Sequence, residues 1–133
     1  MKAPHGLRDL VRIARRARTR AHAPFSGFKV GAALRTRRGE IVTGCNIENA
    51  TYGLTLCAER VAVFKAVSEG LRRFDAIALV VDSRHLAAPC GPCRQILWEF
   101  CGDLWVHMET LRGSKQTVRL STLLPFPFDA KNL

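Results

Sequence analysis

The sequence predicts an α/β fold, a three-layer α/β/α sandwich built on a mixed five-stranded sheet. Segments with the apolar spacing of helices alternate with short apolar runs typical of strands, in the order α-β-β-α-β-α-β-β. Residues 74–82 (FDAIALVVD) are apolar almost throughout. Such a run indicates a central strand that is buried on both faces, and it therefore favours helices on both sides of the sheet.

The individual elements follow from periodicity and from Gly and Pro positions. Apolar residues recur at helical spacing over residues 7–21 with arginines on the other face, and Pro24 ends this amphipathic helix. Gly70 is a stop for the second helix, and Pro89 precedes the third. The other predicted elements are strands over 28–34 and 40–46, joined by a turn over 35–39, a helix over 57–69, the strand over 74–82, a helix over 90–100, and strands over 104–109 and 117–120.

Length and charge narrow the class of protein. A chain of 133 residues suits one domain, expected over residues 1–133. We expect a cytoplasmic protein with no membrane partner, because no apolar run approaches the roughly 18 residues of a span and no secretory leader is evident. The net charge of +10 is interpreted as solvated basic faces, and attraction of nucleic acid is the alternative.

Two short segments carry the candidate chemistry. They are Cys57-Ala58-Glu59 and the Pro-Cys-Gly-Pro-Cys run at 89–93, and each is expected to open a helix. Cys90 and Cys93 stand one helical turn apart, so both sulfurs point to one side. Helix N-termini favour thiolates, and three thiolates suit Zn²⁺. We therefore predict one zinc ion per subunit, held by Cys57, Cys90 and Cys93.

Glu59 is predicted to lie beside the zinc without binding it. Three protein ligands and one water are typical of a catalytic zinc site, where a nearby carboxylate can move the proton of the water. A ligand-x-Glu followed by Pro-Cys-x-x-Cys is the known pattern of zinc deaminases. The alternative is a closed four-cysteine site that includes Cys45 or Cys101, which are more simply interpreted as buried small residues. The histidines stand at no ligand spacing and are interpreted as surface or core residues: His5, His22, His85 and His107.

Four blocks of the chain resemble the small, homotetrameric, zinc-dependent cytidine deaminases. The blocks are PFSGFKVGAAL (24–34), GCNIENATYGLTLCAERVAVFKAVSEG (44–70), APCGPCRQILWEF (88–100) and LLPFPFDAKNL (123–133). The resemblance implies a cytidine deaminase-like fold. It also implies hydrolysis of cytidine and 2′-deoxycytidine to uridine and 2′-deoxyuridine plus ammonia, a reaction of pyrimidine salvage.

The same resemblance implies roles for individual residues. Cys57, Cys90 and Cys93 would bind zinc. Glu59 would pass a proton from the zinc-bound water to N3 of the base, and Arg60 would offset the charge of the thiolates. The implied substrate contacts are Phe28 stacking on the pyrimidine, Asn46 and Glu48 on the ribose 3′-hydroxyl, the Ala58 backbone at the base edge, and Tyr52 and Phe128 reaching a neighbouring subunit's site. Taken alone, Phe28 could instead be a core aromatic residue, and Asn46 and Glu48 could cap a loop. Arg94 and Gln95 receive only a structural role.

Two departures from the family pattern leave alternatives open. Phe126 and Pro127 precede Phe128 where small residues are usual, so either phenylalanine could reach the neighbour. The strong positive charge is also unusual. A polynucleotide cytosine deaminase, a blasticidin-like nucleoside-antibiotic deaminase and a non-catalytic zinc or nucleic-acid-binding module are therefore kept as alternatives.

Overall fold

The computed structural model describes residues 4–133. In chain order its elements are α1 (Leu7–Arg18), β1 (Val30–Thr36), β2 (Ile41–Cys45), a 3₁₀ turn (Tyr52–Leu54), α2 (Ala58–Ser68), β3 (Phe74–Val81), α3 (Gly91–Cys101), β4 (Trp105–Thr110), β5 (Lys115–Arg119), α4 (Leu120–Leu123) and a second 3₁₀ turn (Ala130–Asn132). The strands form one five-stranded sheet in the order β2-β1-β3-β4-β5. The β3–β4 pair is parallel and the other pairs are antiparallel, which confirms the predicted mixed sheet.

Helices cover both faces of the sheet, as the three-layer prediction requires. On one face, Leu10 and Ala14 of α1 pack against Ala33 of β1 in a small apolar cluster. On the other face, the next residue of β1, Leu34, belongs to a larger cluster with Ala62 of α2. Because successive strand residues point to opposite faces, β1 contributes to both layers of the core. β3 is buried on both sides, which confirms its predicted central position.

Two glycines let the helices approach the sheet closely. A Cβ atom at Gly44 of β2 would lie 2.3 Å from the Ala58 carbonyl oxygen, in the first turn of α2. A Cβ atom at Gly31 of β1 would lie 2.1 Å from the Ala14 carbonyl oxygen of α1. Any larger residue at either position must push a helix away. Gly44 therefore sets the position of the helix that carries Cys57 and Glu59.

The predicted end of α1 and the predicted start of β1 are wrong. α1 ends at Arg18 instead of residue 21, because the backbone amides of Thr19, Arg20 and Ala21 bond to carbonyl oxygens three residues back instead of four. β1 begins at Val30 instead of residue 28. The Asn46 side chain hydrogen-bonds the Phe28 carbonyl oxygen and the Val30 amide. Regular strand pairing therefore starts two residues later than predicted.

Smaller differences occur later in the chain. β2 is one residue shorter at each end, β3 ends one residue earlier than predicted, and β4 is shifted by one residue. β5 begins two residues before the predicted 117, since Lys115 already pairs with Glu109. Its predicted last residue, Leu120, instead opens α4, which the sequence did not predict. In the described part of the chain no helix is long and apolar enough to cross a membrane.

Candidate metal centre and active site

The predicted cysteines come together where two helices begin. Cys57 is the N-cap of α2, and Cys90 is the N-cap of α3. The Sγ atom of Cys90 lies 3.9 Å from that of Cys57 and 3.2 Å from that of Cys93. All three sulfurs lie within 4.8 Å of one another. Tetrahedral zinc with sulfur ligands at about 2.3 Å places its sulfurs roughly 3.8 Å apart, so this donor set fits the ion.

The alternative four-cysteine site is wrong for the residues that the structure describes. Neither Cys45 nor Cys101 joins the three-thiol cluster, and none of the histidines does. Both cysteines are partly buried. Burial raises the pKa of the Cys101 thiol to about 12, as expected for a side chain that stays neutral. Three protein ligands are the number typical of a catalytic zinc site, whereas structural zinc sites have four.

Arg60 lies directly against the thiols. Its guanidinium donates to the Thr55 carbonyl oxygen at 3.2 Å and to the Cys57 sulfur at 3.6 Å. The thiol of Cys93 and this guanidinium together lower the pKa of Cys57 to about 5. The contact between Cys93 and Cys57 also raises the pKa of Cys93, because the Cys93 proton is held against the Cys57 thiolate. The surroundings therefore favour negative charge on the cluster, and Arg60 offsets part of it.

Glu59 is a buried carboxyl group beside the cluster. It lies in the first turn of α2, and its exposed fraction is 5%. Burial, with the nearby charge of Cys57, raises its pKa to about 7. A carboxyl group with a pKa near neutrality is suited to both accept and return a proton.

The polar residues predicted to hold the sugar are bonded to the loop before β1. The Asn46 amide donates to the Phe28 carbonyl oxygen at 2.7 Å and accepts from the Val30 amide at 2.8 Å. The Glu48 carboxylate accepts from the Phe25 amide at 2.9 Å and from the Ser26 amide at 3.1 Å. The Ser26 hydroxyl also donates to this carboxylate, and its hydrogen bond, together with those of the two amides, lowers the pKa of Glu48. Both side chains therefore fix the loop that carries Phe28.

An open cavity adjoins this loop. It has a volume of 380 Å³, and its lining includes Ser26, Glu48 and Thr55. Two aromatic rings complete the lining, Phe25 and Tyr52, which meet edge to face with centroids 6.0 Å apart. Tyr52 is 75% exposed. The cavity thus combines an aromatic wall with carboxylate and hydroxyl groups.

Known proteins match this arrangement over most of the chain. Residues 5–108 match the family described as "Cytidine and deoxycytidylate deaminase zinc-binding region". A cytidine deaminase of Halalkalibacterium halodurans is 48% identical over 125 residues, which are 93% of this chain and 95% of the relative. The chain belongs to the cytidine and deoxycytidylate deaminase family.

Two further relatives also match this chain. The crystal structure of a cytidine deaminase from Burkholderia pseudomallei superimposes with a TM-score of 0.89 at 43% identity, covering 95% of this chain and all of that one. A blasticidin-S deaminase of Bacillus cereus is 36% identical over 107 residues, 74% of this chain and 76% of the relative. The family's zinc-binding region contains the three-thiol cluster, so zinc is the metal of this site.

The tail of the deaminase is anchored to α3. The Gln95 amide donates to the Phe128 carbonyl oxygen at 2.6 Å, and the Trp98 indole donates to the Asp129 carboxylate at 3.0 Å. The Trp98 hydrogen bond lowers the pKa of Asp129. Phe126 is fully exposed, and Phe128 is more than half exposed. The two rings are thus held at the surface of the subunit.

Sequence reasoning missed Ser26 as a positioning residue, and it gave Arg94 a structural role without identifying its partners. Ser26 donates to Glu48 through its hydroxyl, and that oxygen also accepts from the Phe28 amide at 3.0 Å. Arg94 donates to the carbonyl oxygens of Pro89 and Leu123, each at 2.7 Å, and so links the second cysteine segment to α4. The Ser-Gly pair before Phe28 is a recognisable turn signal, but nothing local to it indicates a partner 22 residues away.

Proposed function

We propose that the protein hydrolyses the exocyclic amine of cytidine and 2′-deoxycytidine. One water enters, the C4–N bond breaks, and ammonia leaves with uridine or 2′-deoxyuridine as the other product. The observation that carries the proposal is Glu59, a buried carboxyl group with a pKa of about 7 beside three clustered thiols. In a chain of this family, that pairing supports a proton-transfer residue next to a zinc site.

Each residue of the centre has a definite task in this proposal. Cys57, Cys90 and Cys93 hold the zinc, which when bound acts as a Lewis acid and lowers the pKa of water. The Glu59 carboxylate takes a proton and delivers it to N3 of the cytosine ring. Since the pKa of Glu59 lies near neutrality, both directions of transfer are accessible at the same pH. Arg60 limits the negative charge that three thiolates place around the reacting water.

Substrate recognition is proposed for the loop before β1 and the segment after β2. Phe28 is partly exposed and stacks on the pyrimidine, while the Ala58 backbone meets the base edge. Asn46 and Glu48 bind the 3′-hydroxyl of the sugar through the hydrogen-bond donors and acceptors that their bonds to the loop leave free. The 380 Å³ cavity with Glu48 and Tyr52 in its wall supports the role of Glu48. A buried sugar hydroxyl needs such polar partners.

We propose a homotetramer whose subunits complete one another's sites. The exposed aromatic side chains support it, because large exposed rings are typical of interfaces: Phe25, Phe28, Tyr52, Phe126 and Phe128. Sedimentation of the zinc-loaded protein measures the assembly, and a stable monomer would contradict the proposal. Phe126→Ala and Phe128→Ala form a matched pair, since the ring that reaches the neighbour's site is the one whose removal raises KM.

The decisive experiment is ammonia release from cytidine by the zinc-loaded protein. Glu59→Gln should keep zinc and lose about 10²- to 10⁴-fold in kcat, the usual contribution of a general acid–base residue. Glu69→Gln is the matched control, because this exposed glutamate lies just after the same helix. A parent protein that binds stoichiometric zinc but releases no ammonia from either nucleoside would refute the proposal.

The same assay separates the competing activities. Ammonia released from a cytosine-containing oligonucleotide, or from blasticidin S, but not from free nucleosides would replace the proposed substrate class. Retention of full activity in Glu59→Gln would favour a different proton carrier. We further propose that residues 1–133 act as one deaminase domain in pyrimidine salvage in the cytoplasm. The five free cysteines support a cytoplasmic location, because the cytosol is a reducing compartment that keeps thiols reduced.

A further inference from the structure

A groove lies on the side of the sheet opposite the three-thiol cluster. α1 packs across β1, β2 and β3, and the part of the same sheet face formed by β4 and β5 borders this groove. The groove between α1 and the β4–β5 hairpin has a volume of 690 Å³. That volume is in the range of small-molecule sites. We refer to it as the basic groove.

The rim of the basic groove is strongly positive. Arg8, Arg12 and Arg15 follow one another at helical spacing along α1, and Lys115 of β5 also lines the groove. Within residues 4–133 the side chains of Arg8, Arg15 and Lys115 have no hydrogen-bond or ion-pair partner. Arg12 has only an exposed pair with Asp9 at 3.6 Å, which is easily exchanged for another anion.

The floor of the basic groove is polar and fixed. His107 is 5% exposed, and its Nδ1 atom lies 2.7 Å from the Thr117 hydroxyl oxygen. Its Nε2 atom lies 2.9 Å from a Glu109 carboxylate oxygen. Glu109 is the acidic residue of the lining, so the histidine already engages the group that would repel an anion. The floor therefore needs no rearrangement before a ligand enters.

The lining also defines what kind of anion fits. Leu7 and Val11 give the helix wall an apolar strip between the arginines. The described lining contains no Phe, Tyr or Trp, whereas sites for single-stranded nucleic acid stack bases on exposed aromatic rings. Four cations around one open groove instead suit several phosphate groups on one small molecule.

We propose that the basic groove is a second binding site of this protein, and that it takes a small molecule carrying a polyphosphate. The phosphates lie between the α1 arginines and Lys115, and the rest of the ligand contacts Leu7, Val11 and the Thr117 side of the floor. The site is separate from the deaminase centre, because the sheet lies between them. It does not depend on the proposed reaction.

The test is calorimetric titration of the zinc-loaded protein with inorganic tripolyphosphate and, separately, with adenosine triphosphate. The groove variant is Arg12→Glu/Arg15→Glu. The matched control is Arg16→Glu/Arg20→Glu, which changes two exposed arginines outside the groove and gives the same net charge. We expect the groove variant to weaken binding by about tenfold for each lost contact between a cation and a phosphate, and the control to leave it nearly unchanged.

Comparison of the two titrations identifies which kind of molecule supplies the phosphate groups. Tighter binding of adenosine triphosphate than of tripolyphosphate assigns the site to nucleotides, and equal binding assigns it to polyphosphate alone. Amide shifts of Thr117 on ligand addition, with Cys57 unchanged, would support the location. Equal losses in both double variants would show unspecific charge attraction and overturn the proposal. So would absence of binding, or binding of a twenty-nucleotide oligothymidylate alone.

Discussion

Replacing Gly44 with alanine tests how tightly the sheet positions the catalytic helix. The added Cβ atom would lie 2.3 Å from the Ala58 carbonyl oxygen and 2.7 Å from the Ala62 amide nitrogen. Ordinary contact begins at 3.4 Å, so α2 must retreat by about 1 Å. Overpacking of this kind costs about 1–3 kcal/mol of the free energy of unfolding. A displacement of about 1 Å of a reacting group can lower the rate by roughly 10²-fold.

Gly31→Ala provides the matched control for this prediction. Its Cβ atom would be just as crowded, at 2.1 Å from the Ala14 carbonyl oxygen, but it would displace α1 on the other face of the sheet. We expect both variants to lose similar stability in urea unfolding followed by tryptophan fluorescence. Only Gly44→Ala should lose kcat for cytidine, because its helix carries Glu59. Equal kcat losses in the two variants, or no loss of stability in either, would refute the reasoning.

Three further predictions concern single side chains. Cys93→Ser should lose zinc in an elemental assay, because only two thiols of the cluster remain. Cys45→Ser, which lies outside the cluster, should retain zinc. Zinc loss from both variants would contradict the three-thiol assignment. Glu59→Gln should keep zinc and lose ammonia release, and unchanged release would remove the proton-transfer role. Ser26→Ala should raise the pKa of Glu48 towards its ordinary value in an NMR titration, since the Ser26 hydrogen bonds are the main cause of its lowering. An unchanged Glu48 pKa would mean that the backbone amides alone fix the carboxylate.

Local patterns were sufficient to predict the architecture and the metal centre. The apolar run at β3 requires burial on both faces wherever it occurs, so the layers followed from it. Cys90 and Cys93 are brought together by one turn of helix, which is a local property. Only the meeting of Cys57 with that pair depends on the tertiary fold.

Contacts between distant segments explain what the sequence did not predict. β1 starts late because Asn46, sixteen residues further on, takes the backbone groups of Phe28 and Val30. Asn46 and Glu48 were predicted as sugar ligands with loop capping as the alternative, and the structure shows loop contacts for both, with partners that no spacing rule indicates. α4 was missed because its one short turn is stabilised by packing against the rest of the fold, where Leu120 is fully buried.

The thiol cluster also has a consequence for the chain as a polymer. Cys57 and Cys90 are separated by 33 residues, a stretch that includes all of α2 and β3. A metal bound by both segments joins them much as a disulfide would, except that a chelator can open the link. Because the unfolded chain does not keep the site, the free energy of zinc binding adds to the free energy of unfolding. The ion that serves the chemistry is therefore also a removable cross-link, and the chelated protein should unfold at lower denaturant concentration.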